Sequence, residues 1–94
     1  MVVRVMIPTP LRAYAGKQES IEVQAATVAE ALAGLTSRYG DLKKHLYGDD
    51  GRLRSFVNVY VNDEDIRYLQ KDQTRLREGD TISIVPSIAG GALD

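Results

Sequence analysis

Hydrophobic and polar residues alternate in four short stretches of the chain, and each stretch predicts a β-strand. Residues 2–7 and 20–25 lie on either side of a polar segment that contains Gly16, which predicts a hairpin. Residues 55–62 carry the strongest strand pattern, and residues 81–86 carry the last one. The apolar residues predicted to share the buried face of the sheet are Val3, Val5, Ile7, Ile21, Val23, Val57, Val59, Val61, Ile82 and Ile84.

Helical spacing of apolar residues appears between the second and third predicted strands. Thr27 and Glu30 have the spacing of a capping box, which predicts that a helix begins after Thr27. Gly40 stands where a C-terminal capping glycine is expected, and residues 41–48 suggest a short second helix ended by Gly48. The residues predicted to form the apolar stripe of the first helix are Val28, Ala31, Leu32, Leu35 and Tyr39.

The remaining polar segments are interpreted as solvated turns and faces. The acidic clusters at 48–51 and 62–65 lack the spacing of a calcium loop, so both are predicted to be turns. Residues 43–45 are predicted to form a solvated helix face. Four apolar residues before the last strand are interpreted as satellite packing in a loop or short strand: Ile66, Tyr68, Leu69 and Leu76.

The order of these elements predicts an α+β fold with one main helix packed across a mixed sheet. The first and last strands are expected to run parallel to each other at the centre of the sheet. Residues 1–86 form one predicted domain, and residues 87–94 form a C-terminal tail that is expected to be flexible.

Composition and charge exclude several classes of function. Twelve basic and thirteen acidic residues give a net charge of −1, which argues against nucleic-acid binding by phosphate neutralisation. The chain has no cysteine and a single histidine, His45, so neither a thiol nucleophile nor a metal site is predicted. It has no phosphate-binding loop motif, no stretch long enough to cross a membrane and no signal peptide. A cytoplasmic protein that binds no cofactor of its own is expected.

The tail contains two adjacent glycines, Gly90 and Gly91, and two interpretations of them remain open. They belong either to a frayed end or to a thin arm that enters a channel in another protein. Fully stretched, residues 87–91 would span roughly 16–18 Å. A carboxylate at the end of such an arm could be activated inside a partner, which requires no catalytic residue in this chain.

Three segments together resemble the ThiS/MoaD family of ubiquitin-like sulfur carriers, and within it the CysO type. These segments are "IPTPLR" (7–12), "SFVNVYVNDEDIR" (55–67) and "LREGDTISIVPSIAGG" (76–91). The resemblance covers about residues 1–91. It implies a β-grasp fold and a protein that is a carrier acted on by partner enzymes, not an enzyme.

The resemblance also implies a sequence of partners. An adenylyltransferase and sulfurtransferase similar to ubiquitin-activating enzymes would use ATP to adenylate the carboxylate of Gly91 and convert it to a thiocarboxylate. A pyridoxal-phosphate-dependent synthase would receive the sulfur for cysteine, and a JAMM-type zinc metallopeptidase would release the cysteine. Sulfur delivery to thiamin, molybdopterin or a thiosugar is the alternative within the same family.

The chain departs from the simple family pattern because Ala92, Leu93 and Asp94 follow Gly91. With Ala92 attached, Gly91 has an amide in place of a free carboxylate. We expect cleavage between Gly91 and Ala92, plausibly by the same kind of metallopeptidase. The competing interpretations are a permanent tail without carrier activity, a modifier conjugated through Gly91 to other proteins, and a docking domain with an irrelevant tail.

Partner docking is expected on the solvent face of the strongest strand. Asn58 and Tyr60 should project from that face near Val85, and Ile88 could anchor the tail on a partner. The alternatives are an ordinary half-covered sheet face and a frayed tail.

Overall fold

A mixed sheet with helices packed on one face forms the architecture of residues 1–86, the part of the chain that this computed structural model describes. The strands are β1 (Val2–Met6), β2 (Ser20–Gln24), β3 (Val57–Val61), β4 (Glu64–Asp65) and β5 (Thr81–Pro86). The helices are α1 (Val28–Arg38) and α2 (Gly40–Leu46), with 3₁₀ turns at Thr9–Tyr14, Ile66–Tyr68 and Lys71–Gln73.

The strand order within this sheet is β2-β1-β5-β3-β4. The predicted hairpin is confirmed, because β1 and β2 pair antiparallel from Val2 opposite Gln24 to Met6 opposite Ser20. The first and last strands pair parallel, with Arg4 opposite Thr81, and β3 pairs antiparallel with β5 on its other side. The chain therefore leaves the described region at the end of a strand that has a neighbour on both sides.

Thr27 caps α1 as predicted, but the second bond of the capping box goes to Ala26 and not to Thr27. The backbone N–H of Glu30 donates to Oγ1 of Thr27 at 3.2 Å, and Oε1 of Glu30 accepts from the backbone N–H of Ala26 at 2.8 Å. Two backbone donors at the helix start are thereby satisfied, and a cap of this kind stabilises a protein by about 1 kcal/mol. The helix begins where the sequence predicts.

The predicted helix ends are correct to within two residues, but neither Gly40 nor Gly48 caps a helix in the left-handed conformation. Tyr39 lies between the two helices, and its backbone N–H donates to the carbonyl of Leu35 to close α1. Gly40 is already the first residue of α2. The second helix ends at Leu46, two residues before Gly48. The sharp turn after it uses Gly51, whose φ of +78° places it in the left-handed region.

The predicted strand at 55–62 is shorter than its pattern suggests, and the acidic turn after it is tighter. The strand starts at Val57 and ends at Val61. Asn62 and Asp63 alone form the turn, with φ of +49° and +79°, and β4 returns antiparallel with Glu64 opposite Val61. The prediction of a turn over 62–65 is thus confirmed for its first half and wrong for its second half.

One hydrophobic core lies between the sheet and the helices, and it contains every apolar residue predicted for the buried face of the strands. The predicted helical stripe is buried too, and Tyr39 packs partly buried against the core. Ile66 and Leu76 are also buried, as predicted. Tyr68 and Leu69 are 85% and 37% exposed, so the predicted satellite packing does not hold for these two residues. No helix within residues 1–86 is long and apolar enough to span a bilayer.

Candidate functional site

The base of the tail is fixed by the central strand β5. Pro86 is the last residue of that strand and lies opposite Val57 of β3. The predicted sulfur-carrying pair Gly90 and Gly91, the predicted cleavage position before Ala92 and the predicted anchor Ile88 all lie outside the described residues.

The three docking residues of the folded domain lie together on the face of the sheet turned away from the helices. Asn58 is directly opposite Val85, and Tyr60 is opposite Ser83 on the same two strands. Val85 is 43% exposed, which is high for an aliphatic residue in an inner strand. The geometry thus brings these residues into one surface.

A further apolar residue, Met6, joins this surface from the neighbouring strand. Met6 lies opposite Ser83 in the parallel pairing of β1 and β5. We call the surface formed by Met6, Asn58, Tyr60, Ser83 and Val85 the open-face patch. The sequence analysis missed Met6, although its position between the buried Val5 and Ile7 already indicates that it faces the other way.

A groove at the same end of the sheet opens beside the point where the tail begins. It encloses about 690 Å³. We call it the end groove, and its lining residues are Pro8, Pro10, Leu11, Lys44, His45, Arg54, Phe56, Val57 and Pro86. The sequence analysis did not predict it, because its walls come from four segments that are distant along the chain.

Arg54 holds one wall of the end groove in place. Its guanidinium donates through Nε and Nη2 to the backbone carbonyl of Lys44, at 3.1 Å and 2.9 Å. Its backbone N–H donates to the carbonyl of Leu46 at 2.8 Å. These bonds satisfy carbonyls in the last turn of α2 and bring cationic side chains to the rim of the groove.

His45 departs from the predicted solvated helix face at 43–45. Lys43 and Lys44 are exposed as predicted, but His45 is half-buried and stacks on Tyr14, with ring centroids 4.1 Å apart. Its Nε2 atom is buried and has no hydrogen-bond partner among residues 1–86. The prediction for His45 is therefore wrong, because the 3₁₀ turn at Thr9–Tyr14 covers this part of the helix.

A second, smaller groove of about 380 Å³ lies between α1, β3 and the loop after α2. On its lining, Nη2 of Arg67 approaches Oδ2 of Asp65 to 2.7 Å. Hydrogen bonds from the side chain and backbone of Arg67 hold the pKa of Asp65 below its usual value. Burial raises the pKa of the Tyr47 hydroxyl, and the negative charge of Asp72 raises it further.

The acidic turn after β3 has a structural role. The side chain of Asn62 donates to Oδ1 of Asp80 at 2.9 Å and accepts from the backbone N–H of Thr81 at 2.9 Å. The turn is thereby tied to the start of β5. Within residues 1–86 there is no group of three or more histidine, cysteine or acidic residues that could hold a metal ion.

Comparison with protein families decides what kind of chain this is. The model of the ThiS family matches residues 5–91, a range that includes both tail glycines. The chain belongs to the ThiS family. It is a ubiquitin-like β-grasp protein of the sulfur-carrier type, as the resemblance of its three segments implied.

Individual members of the family are similar over nearly the whole chain. The sulfur carrier protein CysO of Mycobacterium tuberculosis is 38% identical over 93 residues, which cover 97% of this chain and 100% of that protein. A chain in the crystal structure of the Amycolatopsis orientalis BexX/CysO complex superimposes with a TM-score of 0.85 at 42% identity, covering 95% of this chain and 99% of that chain. Small archaeal modifier protein 3 of Haloferax volcanii is 36% identical over 66 residues, or 70% of this chain and 71% of that protein.

Proposed function

We propose that this protein carries sulfur as a thiocarboxylate on Gly91 and delivers it for biosynthesis. The observation that supports this most directly is the family match through residue 91, which includes Gly90 and Gly91. Gly91 lies five residues after Pro86, where the central strand β5 ends. Five residues can reach at most roughly 16–18 Å, so the folded domain would have to dock close to the active site of its partner.

The chemistry would take place in an activating enzyme similar to ubiquitin-activating enzymes. A carboxylate oxygen of Gly91 attacks the α-phosphorus of ATP, and pyrophosphate leaves. Hydrosulfide then attacks the carbonyl carbon of this acyl adenylate, a C–S bond forms, and AMP leaves with the electrons of the broken C–O bond. The chain supplies position and the partner supplies catalysis, and holding the reacting groups together raises their effective concentration.

The open-face patch is the surface that we assign to docking on the activating enzyme. It combines exposed Val85 and neighbouring Met6 with the polar groups of Asn58 and Tyr60 on a rigid sheet. An apolar patch with a polar rim is typical of protein-binding surfaces. It lies on the strand that leads directly into the tail. Ile88 would extend this contact along the arm.

Residues 92–94 must be removed before Gly91 can be adenylated. With Ala92 attached, Gly91 has an amide and no free carboxylate oxygen to attack the α-phosphorus of ATP. We propose that a JAMM-type zinc metallopeptidase hydrolyses the bond between Gly91 and Ala92. Water adds to the Gly91 carbonyl, the amine of Ala92 leaves, and a free glycine carboxylate results. Release of a cysteine linked to the same carbonyl would be the same reaction.

Cysteine is the destination that we propose for the sulfur, because the relatives named above include CysO proteins. A pyridoxal-phosphate-dependent synthase would let the thiocarboxylate sulfur displace the leaving group of a serine-derived acceptor. A shift of the acyl group from sulfur to nitrogen would then leave cysteine amide-linked to Gly91. Thiamin, molybdopterin and thiosugars remain the other destinations.

A mass measurement tests the proposal. The chain ending at Gly91 is incubated with ATP, sulfide and the cognate activating enzyme, and its intact mass should increase by the difference between sulfur and oxygen. The matched control is the 94-residue chain, which has the same folded domain but an amide at Gly91 and should not change. A truncated chain that keeps its mass under these conditions would contradict the proposed function.

A modifier function is the second candidate, and the Haloferax volcanii relative named as a small archaeal modifier favours it. It uses the same activation but ends in an isopeptide bond between Gly91 and lysines of other proteins. Proteomic detection of glycine–glycine remnants on cellular lysines would support this candidate. A thiocarboxylate on the free protein, with no such remnants, would support the carrier.

A further inference from the structure

We propose that, in the unprocessed chain, the segment 88–94 binds the end groove of its own domain, with Leu93 on the apolar floor and Asp94 beside the cationic rim. The effect of this contact on activation rests on the proposed function as a sulfur carrier. While residues 92–94 are bound, the unprocessed carrier is withheld from the channel of the activating enzyme.

The first argument is position. Pro86 is the last residue of β5 and also lines the end groove, so the following residues start at the groove itself. Residues 87–94 comprise eight residues, which could span roughly 26–29 Å if extended. Gly90 and Gly91 form the kind of pair that favours a two-residue reversing turn. A turn there would bring residues 92–94 back toward Pro86.

The second argument is chemical match. The floor of the end groove is apolar and includes Pro8, Leu11 and Phe56. The side chain of Phe56 is 41% exposed, so residues 1–86 do not cover it fully. The segment that starts there contains Ile88 and Leu93, two aliphatic side chains suited to such a floor.

The third argument is charge. Lys44 and Arg54 place two cations on the rim of the end groove, and residues 87–94 carry one charged side chain, the carboxylate of Asp94. His45 adds an unsatisfied polar atom, because its buried Nε2 has no hydrogen-bond partner among residues 1–86.

The proposed contact would affect how the processed and unprocessed forms of the chain interact with the activating enzyme. A chain that still has Ala92 cannot be adenylated, yet its domain has the same docking surface as the processed chain and would compete for the enzyme. Binding of the segment to the end groove leaves the open-face patch uncovered, but it keeps the unprocessed tail out of the channel of the enzyme. Cleavage after Gly91 removes both Leu93 and Asp94, the two groups that match the groove, and releases the glycine arm.

Trimming by a broad-specificity carboxypeptidase, followed by intact mass, tests the contact. The 94-residue chain is compared with Lys44→Glu and with Lys43→Glu. Both lysines are exposed and adjacent on α2, but only Lys44 lines the end groove. Loss of one exposed ion pair should speed removal of Asp94 and Leu93 by roughly two- to fivefold in Lys44→Glu. Lys43→Glu should trim at the original rate.

A second variant and its matched control test the apolar floor of the end groove. Phe56→Asn should also speed trimming, whereas Tyr68→Asn changes an 85% exposed aromatic residue outside the groove and should not. The tail sequence is the same in all variants, so intrinsic cleavage by the carboxypeptidase is constant. Thermal melting of each variant confirms that the domain is folded.

Three outcomes decide the question. Faster trimming for Lys44→Glu and Phe56→Asn alone supports the contact. Equal rates in all variants overturn it. Rates that fall as protein concentration rises show that the segment binds a second copy, and they overturn the intramolecular form. The assay uses neither ATP nor sulfide, so it stands apart from the thiocarboxylate measurement, and either proposal can fail while the other holds.

Discussion

At the scale of single residues, folding changes the pKa of Tyr47 by burying its hydroxyl. Its hydroxyl is partly buried near Asp72, and its pKa is raised above the ordinary value of about 10. The folded chain therefore holds the phenolic proton more tightly than the unfolded chain. Its contribution to stability is complete below about pH 10 and is lost as the pH rises through the folded pKa.

We predict that Tyr47→Phe reduces the alkaline loss of stability. The free energy of unfolding of the unmodified protein should fall more steeply above about pH 10 than that of Tyr47→Phe, because phenylalanine has no proton to lose. Urea unfolding at several pH values between neutral and strongly alkaline measures both curves. Tyr68→Phe, at an exposed position, should follow the unmodified curve. Parallel curves for all three proteins would show that Tyr47 titrates no differently in the folded chain.

At the scale of secondary-structure elements, the turn between β3 and β4 shows how a short polar segment sets the register of a sheet edge. Asn62 and Asp63 both have positive φ, as a two-residue hairpin turn requires, and asparagine tolerates this better than other side chains. The side chain of Asn62 also connects the turn to Asp80 and Thr81 at the start of β5. The first half of the acidic cluster thus has a role in turn geometry.

We predict that Asp63→Gly stabilises the protein. Asp63 has a φ of +79°, a conformation in which glycine avoids the steric cost of a Cβ atom. The expected gain is about 0.5–1 kcal/mol in the free energy of unfolding, measured by urea denaturation. Asp49→Gly is the matched control, because Asp49 lies in an exposed turn without positive φ, and it should be neutral or destabilising. A loss of stability in both variants would contradict this account of the turn.

At the scale of the whole molecule, the fold places the hydrophobic core, the open-face patch and the end groove in three separate regions. The core lies between the helices and one face of the sheet, the open-face patch occupies the other face, and the end groove lies where β5 ends. Because β5 runs through the centre, it connects the core, the patch and the start of the tail. A partner that docks on the patch would therefore contact the strand from which the tail starts.

We predict that Val85→Asp weakens sulfur loading without unfolding the domain. A buried carboxylate at the centre of an apolar contact costs at least 1–2 kcal/mol, so thiocarboxylate formation at subsaturating activating enzyme should fall by roughly tenfold. The chain ending at Gly91 is used, and initial rates are measured by intact mass. Leu69→Asp, a similarly exposed apolar residue outside the patch, should load normally. Unchanged loading of Val85→Asp would place the docking surface elsewhere on the domain.

Much of the fold could be predicted because the spacing of apolar residues and the capping of helix ends depend on residues close together along the chain. The alternation at Val57, Val59 and Val61 fixes which face of β3 is buried, and the spacing of Thr27 and Glu30 fixes where α1 begins. Helix ends were predicted less well. Gly40 was expected to cap one helix but starts the next, because packing of Tyr39 against the core decides where the chain turns.

Sites made by distant segments were not visible in the pattern. Tyr68 looks like a core residue by composition, yet the 3₁₀ turn at Ile66–Tyr68 directs it into solvent. His45 was grouped with two lysines, and only the neighbouring turn at Thr9–Tyr14 shows that its ring is covered by Tyr14. Docking at Asn58, Tyr60, Val85 and Ile88, and the roles of Gly90 and Gly91, stay predictions.

The sequence by itself determined the strands and the main helix, the face that each buries, and the glycine pair, because each depends on residues close together along the chain. It also determined family membership, since the three matching segments are linear. Only the tertiary structure decided that Met6 joins Val85 on one patch and that Lys44, Arg54 and Phe56 meet around Pro86. These groupings arise from the register of paired strands and from packing between distant segments, which local periodicity does not encode.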